Sequence, residues 1–485
     1  MKKVKNGIKI VIFILIFVMI FGAIQDLTLP YFSDEQGSNT GFFDEEDNTV
    51  DVIFLGSSNM FHTINPLVMY EEAGIRGFDF GSSSQSLNLS YMYLTEALKT
   101  QSPKVVCLEV YMASRDYNEE GLEEPELRWG FTHFPKSLNM MARLYDQVDG
   151  KIDAEYLSYV FPLLRYKSIW WNISKYDFIE ESSYKKGCYI GTKVTPISYE
   201  DAYWEDEEWE ISESNLKSLN QIKALCDEKD IELVLFKSPN ATQWKNAYSE
   251  KMNEYAKGND IPFIDYNLLL DELGIDVNTC FMDSGHLNLS GSILASKYMA
   301  EYLVTNYELQ DYRNGEKNSW DRACEEWHRR EQNELLMNIE DFEEYLDIIS
   351  SGGYTVTFSI NGEIDDEHKG SLLVHMGFDA AAGIESGIVR DGTPVALNVR
   401  GNSYLWRDEI DGQDYAIAGN RRDNGGGNIT YDATVYVNGG NCSVTPLGIN
   451  IVVYDNELEE FVSVVGFAVD DGYKKYFGSL DVIKR

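Results

Sequence analysis

Five short apolar runs constrain this chain more than any other feature: Val52–Leu55, Gly77–Phe80, Val105–Val110, Leu233–Phe236 and Pro262–Asp265, with helix-like stretches between several of them. Apolar strands of this length, alternating with helices, predict a parallel, three-layer α/β sheet, because such strands must be covered on both faces. The expected domain spans residues 50–305. Between its third and fourth strands lies an insertion, residues 111–230, rich in aromatics: Trp129, Phe131, Phe134, Tyr166, Trp170, Trp171, Tyr203, Trp204 and Trp209. That insertion is expected over the carboxyl ends of the strands. Its rings either form a lid or acceptor groove, or fill a small core of their own.

At 485 residues the chain is too long for one ordinary core. Residues 306–338 are polar and helix-prone and read as a connector. Residues 339–485 have a different character, with a short helix expected at Ile339–Ile349 and strands at 354–360, 433–437, 449–454 and 461–467 between Gly- and Asn-rich turns. A second, smaller β-rich domain is expected there.

The amino terminus carries Lys2, Lys3, Lys5 and Lys9 directly before an apolar run from Ile10 to Ile24. This predicts a basic cytoplasmic segment at 1–9, a signal anchor at 10–25 and an acidic, flexible linker at 26–49, with the bulk of the chain outside the cell membrane. A cleaved secretory signal is the alternative. The net charge of −39, from 41 basic and 80 acidic residues, excludes a general nucleic-acid binder, since phosphate recognition needs a positive stripe. Six cysteines lie scattered without metal-finger spacing, so no disulfide scaffold or metal site is expected. No nucleotide or flavin motif is present either, and no cofactor is expected.

Two short words carry the chemistry. Gly56-Ser57-Ser58 follows the first apolar run, and Asp283-Ser284-Gly285-His286 comes about 225 residues later. A serine needs a base to become nucleophilic, and the base needs a third group to fix its tautomer; a histidine with a carboxylate three residues earlier meets both needs from one turn. Open α/β sheets place their ligands at the carboxyl ends of strands, where Ser58 is expected. His62, four residues after Ser58, is a competing base or a structural residue. A strand-GSS-helix junction is by itself also compatible with a plain helix cap or a phosphate cradle.

The stretches Asp51–Met60, Phe80-Gly81-Ser82-Ser83 and Met282–Asn288 resemble blocks of the SGNH/GDSL hydrolase superfamily. Within it they look most like the polysaccharide O-acylation branch, the relatives of the alginate-acetylation proteins and of the teichoic-acid D-alanylation protein DltD. The resemblance covers residues 50–303 and implies Ser58 as nucleophile, with Asp283 and His286 completing a triad. It implies an oxyanion hole from the backbone of Ser58 and Gly81 and a third donor from an asparagine. The family's G-x-N-D block is missing: Cys107-Leu108-Glu109-Val110-Tyr111 stands in its place. The nearest asparagine is Asn240, in Ser238-Pro239-Asn240, where it either completes the hole, with Trp244 flanking it, or simply makes a turn.

A second resemblance lies in Leu447–Asp455 and the following Val462–Phe467. These are similar to the paired strands of the interleukin-like EMT-inducer domain, also called a GG-type lectin domain, in circularly permuted order. The motif's arginine is absent, and its Phe-Asp is here Phe467-Ala468. Some relatives bind N-acetylglucosamine-type sugars; a β-sandwich without ligand is the alternative.

Together these features lead to the expectation of a membrane-anchored, extracytoplasmic O-acyltransferase, acting on a cell-surface polysaccharide through an acyl-serine. The resemblance adds a possible integral-membrane acyl-transport partner. A carbohydrate esterase is the first alternative, and a non-catalytic surface glycan-binding protein the second.

Overall fold

The computed structural model describes residues 41–115, 137–147, 150–166, 184–198, 208–399, 404–423 and 429–480, with isolated residues between them. Of the anchor expected at 10–25, residues 12, 13, 16, 17, 19–22 and 24 are described, all helical, and much of the aromatic insertion lies outside the described residues. Among those described, no helix is long and apolar enough to cross a membrane. The chain divides into two units, residues 1–324 and 325–485, the division falling inside the stretch read as a connector.

The first unit is built on five parallel strands, β1 (Val52–Gly56), β2 (Gly77–Gly81), β3 (Val105–Glu109), β4 (Glu232–Lys237) and β5 (Phe263–Asp265), in the order β2-β1-β3-β4-β5. Register pairs Leu55 with Phe80 and Leu108, so the carboxyl ends of the first three strands finish level. Strands β3 and β4 are sheet neighbours although the insertion separates them in sequence.

Side chains alternate across the sheet. One set, Val52, Phe54, Val105, Cys107, Val234 and Phe236, packs against residues of α1 (Ser58–Phe61), α2 (Pro66–Ala73) and α6 (Leu289–Asn306). The opposite set, including Ile53, Leu55, Val106, Leu108 and Leu235, is equally buried. On that side α3 (Leu87–Ala97) and α4 (Glu213–Lys229) contact each other and strands β1 and β4, while α5 (Asn246–Gly258) packs beside β5. The result is helix, sheet, helix, as the apolar runs predict. Local signals set the boundaries: Asn65 caps α2 ahead of Pro66, Ser86 caps α3, Ser212 caps α4 and Asn288 caps α6 through the Gly291 N–H.

Two insertion aromatics settle on the core-filling side of their alternatives. Phe131 and Phe134 are buried, and the Phe134 ring lies 4.6 Å from that of Tyr93. Trp209 packs at 4.7 Å on Tyr248, whereas Trp129, Trp170, Trp171, Tyr203 and Trp204 fall outside the described residues.

The second unit begins within helix α7 (Ser319–Asn338). An antiparallel sheet of six strands is ordered β10-β9-β8-β15-β16-β17, from β8 (Tyr354–Asn361), β9 (Ile384–Arg390), β10 (Thr393–Val399), β15 (Gly448–Asp455), β16 (Glu460–Ala468) and β17 (Lys474–Phe477). One face packs Phe358, Ile360, Ile449 and Ile451 against α8 (Phe342–Ser350) and α9 (Asp366–His375). The other packs Ile388, Val452 and Val464 against Tyr415, Ile417, Val435 and Val437 of a second sheet, β11 (Tyr404–Ile410), β12 (Gln413–Asp423), β13 (Ile429–Val437) and β14 (Gly440–Asn441). Asn450, in the strand that carries the second resemblance, turns its carboxamide inward: its Oδ1 accepts from the N–H groups of Val444 and Thr445, and its Nδ2 donates to the Thr445 carbonyl. All six cysteines of the chain are buried free thiols.

Candidate active site

Ser58 stands two residues beyond the end of β1, the strand that has β2 on one side and β3 on the other. In an open parallel sheet this switch point is where the crevice forms. The turn is tight. A Cβ on Gly81 would lie 2.3 Å from the Gly56 carbonyl oxygen and 2.7 Å from Met60 Cε, so glycine is needed there for the close approach of the two strand ends.

The Asp-x-x-H word forms a two-stranded hairpin of β6 (Phe281–Asp283) and β7 (His286–Leu287), in which Asp283 and His286 are cross-strand partners. Asp283 Oδ1 accepts the Gly285 N–H at 2.8 Å, an Asx turn that closes the hairpin. The hairpin is fastened to the loop after β4: the Ala241 N–H donates to the Ser284 carbonyl at 2.9 Å, and the Thr242 and Ser284 hydroxyls meet at 3.2 Å.

The two words meet. His286 Nε2 lies 2.9 Å from Ser58 Oγ, and His286 Nδ1 lies 3.0 Å from each Asp283 carboxylate oxygen. With Nε2 accepting the serine proton, the ring's own proton sits on Nδ1 and is donated to Asp283. Burial pushes the Asp283 carboxyl up, but the hydrogen bond and charge of His286, the Gly285 N–H and the nearby His62 outweigh it and pull it down to about 2. The carboxylate is therefore charged at any ordinary pH. The His286 side chain is 25% exposed, so the ring is not sealed from solvent.

His62 is not the base. Its ring is buried and packed between Tyr189 and His286, and its Nδ1 has no hydrogen-bond partner. Desolvation, then the neighbouring His286, hold its pKa well below the usual range, against smaller opposing effects of Asp283 and the Leu287 backbone.

The expected oxyanion residues fare differently. Helix α1, which Ser58 opens, is a single turn of four residues, so individual N–H groups rather than a macrodipole must answer a developing charge there. Gly81 ends β2 beside Gly56, as expected from the second glycine turn. Asn240 is fully buried and reaches the site, with its Nδ2 3.2 Å from the point where Gly285 would carry a Cβ. Its carboxamide is also well occupied: Oδ1 accepts from the Thr242 and Gln243 N–H groups, and Nδ2 donates to Asn59 Oδ1 at 3.2 Å. Turn-making and site-building thus coincide in one residue. Trp244 is core, its N–H bonded to Ser249 Oγ at 2.7 Å.

Sequence reasoning missed the layer beneath. Lys237 Nζ, wholly buried, contacts Glu109 Oε1 at 3.2 Å, Asn59 Oδ1 at 3.3 Å and the Ser238 carbonyl at 2.6 Å. Glu109 also accepts the N–H groups of Tyr111 and Ser238. Asn267 continues the layer, accepting the Asn240 N–H at 2.8 Å and donating to Asp265 at 2.8 Å. Burial pushes Glu109 up and Lys237 down, and each opposes the other's shift. The signal was present: Glu109 and Lys237 end adjacent apolar strands with opposite charges.

Among the described residues no group of three or more His, Cys, Asp or Glu is arranged to hold a metal ion. The sequence matches no protein-family model and no curated protein. The arrangement itself defines a chemical class: a hydroxyl, an imidazole and a carboxylate in hydrogen-bonded series at the rim of a parallel sheet can activate the serine for attack on an acyl carbon.

Proposed function

We propose that this chain is an extracytoplasmic, membrane-anchored O-acyltransferase of the SGNH type that acylates a cell-surface polysaccharide, with acetyl as the expected group. The observation that carries the reading is the series Ser58 Oγ to His286 Nε2 at 2.9 Å and His286 Nδ1 to Asp283 at 3.0 Å. His286 removes the Ser58 proton as Oγ bonds to the acyl carbon; the tetrahedral adduct collapses, and the leaving group departs with that proton. A sugar hydroxyl then attacks the acyl-serine, with His286 again taking the proton and returning it to Ser58 Oγ. Asp283 stabilises the imidazolium in both steps.

The basic, apolar amino terminus supports export and anchoring, and an acyl donor carried from the cytoplasm would need an integral-membrane partner. The β-rich carboxyl-terminal unit, resembling the GG-type lectin domain, is a suitable holder for the glycan acceptor. A carbohydrate esterase is the second reading, favoured by the partial exposure of the His286 ring, since water there competes for the acyl-serine.

The test is incubation of the extracytoplasmic region with 4-nitrophenyl acetate, with and without an oligosaccharide acceptor, following acetylation of Ser58 by peptide mass spectrometry. Acceptor-dependent turnover supports transfer, and acceptor-independent release at the same rate selects the esterase. Absence of any Ser58 adduct, with glycan binding intact in Ser58→Ala, leaves the non-catalytic glycan-binding protein.

A further inference from the structure

Beneath the triad lies a buried ion pair that the acyl-transfer steps do not use. Glu109 at the end of β3 and Lys237 at the end of β4 are 1% and 0% exposed, and together with Asn59 and Asn240 they form one hydrogen-bonded chain. Stability alone gives a weak reason to keep it, because removing two charges from water costs about as much as their attraction returns, and an apolar pair of the same volume is often as stable. What the pair does hold is specific. Lys237 Nζ and Asn240 Nδ2 both donate to Asn59 Oδ1, at 3.3 and 3.2 Å, and Asn59 directly follows Ser58. The Asn59 carbonyl is fixed as well, accepting from Ser238 Oγ at 2.9 Å. Asn240 Nδ2 also lies against Gly285, between Asp283 and His286, 3.2 Å from where a Cβ would stand.

We propose that the Glu109–Lys237 pair is a positioning device for acyl transfer. It fixes Asn59, and through Asn59 the Asn240 carboxamide, so that the Ser58 turn and the Asp283–His286 hairpin are held in register. This rests on the acyl-transfer reading. Glu109 and Lys237 act through Asn59 and Asn240 and touch no reacting atom. Because the side chains are neither exposed nor near the surface, they take no part in substrate binding, and the device should show in the rate of the chemical step.

The experiment compares the parent, the double variant Glu109→Leu/Lys237→Met, the single variant Asn59→Ala, and the triple variant. Each is followed by thermal unfolding, by the rate of Ser58 labelling with a fluorophosphonate probe, and by kcat and KM for 4-nitrophenyl acetate. The double variant removes both charges at roughly constant volume, whereas Asn59→Ala cuts the same chain with the ion pair intact. The expected result is labelling and kcat lowered about 100-fold in each, the size expected when a reacting group is misplaced by about 1 Å, with KM little changed, and with the unfolding temperature little changed in the double variant but lowered in Asn59→Ala, which strips a buried acceptor from Lys237 and Asn240. The triple variant is expected to lose no more than either, as for residues on one path. Parent-like labelling in a folded double variant, or in Asn59→Ala, overturns the proposal while leaving acyl transfer standing. A parent that is never labelled at Ser58 overturns the acyl-transfer reading, and the positioning role with it.

Discussion

The imidazole of His62 lies 4.5 Å from that of His286, centroid to centroid, with the Tyr189 ring 4.4 Å away on His62. The two histidines have opposite settings. His286 has both ring nitrogens engaged, whereas His62 is buried with Nδ1 unpartnered. Burial and the neighbouring ring depress the His62 pKa, so the folded protein keeps it neutral where the unfolded chain would already take a proton. The stability it permits is therefore full above the usual histidine range, about 6.5, and is lost as pH falls below it. His62→Phe, which keeps an aromatic ring in place, is expected to make the fall in unfolding temperature between pH 7 and pH 5 shallower. An unchanged slope would show that His62 is not held neutral.

The triad makes the second prediction. Ser58→Ala and His286→Ala are each expected to lower kcat for ester turnover by about 10⁴-fold or more, and the double variant little further, because the groups act as one unit. Asp283→Asn is expected to cost about 10³- to 10⁴-fold, since the amide disfavours the tautomer with its proton on Nδ1. Steady-state kinetics with 4-nitrophenyl acetate measures all four. His62→Phe retaining far more activity than His286→Ala would complete the assignment of the base.

Asp79, in the middle of β2, is fully buried with neither carboxylate oxygen hydrogen-bonded, and desolvation raises its pKa well above the usual value. A group raised in the fold gives its full stability below the unfolded pKa, about 4, and loses it as pH rises through the folded one. Asp79→Asn is thus expected to raise the unfolding temperature at pH 7–8 by about 2–5 °C and to leave it nearly unchanged at pH 4. Calorimetry at the two pH values decides the matter, and an equal shift at both would rule out titration as the cause.

Two glycines of the site separate packing from chemistry. Gly81→Ala would put a methyl 2.3 Å from a backbone oxygen, and is expected to destabilise by about 1–3 kcal/mol or more in urea unfolding. At Gly285 the nearest atom is Asn240 Nδ2 at 3.2 Å, so Gly285→Ala asks a side chain to give by only a few tenths of an ångström. It is expected to cost less than about 1 kcal/mol in stability yet slow Ser58 labelling by about 10-fold, the reverse order of effect.

The parallel sheet was legible because strands buried on both faces leave an unmistakable apolar record: Val52–Gly56 and Val105–Glu109 have no exposed residue. The same logic explains some of the strands that were missed, but not β9, which is buried over all but its last residue and was missed because Glu385, Ser386 and Gly387 interrupt its apolar run. In the second unit β8, β15 and β16 are buried on both faces and were readable, as was part of β13. Strands β10 and β11 lie toward solvent: Val395 and Val399 are exposed, and Leu405 is 75% exposed among charged neighbours. In β11 the run Arg407-Asp408-Glu409 breaks any apolar pattern, and in β10 the alternating Val395, Leu397 and Val399 are not buried. Ser58, Asp283 and His286 could be singled out because each stands in a short word read within a few residues of sequence. Of the layer beneath, the opposite charges of Glu109 and Lys237 at two strand ends were visible, but their joint hold on Asn59 was not, because a hydrogen bond between residues 178 positions apart, such as Lys237 to Asn59, leaves no local pattern.

The Asp283–His286 hairpin has one further consequence. Because carboxylate and imidazole face each other across a single reverse turn, their mutual bond is internal to the hairpin, whereas the bond to the Ser58 hydroxyl joins the hairpin to a separate turn. The machinery is thus two preassembled halves that meet at one seam, and the bond from Ala241 to Ser284 ties one of those halves to the loop after β4.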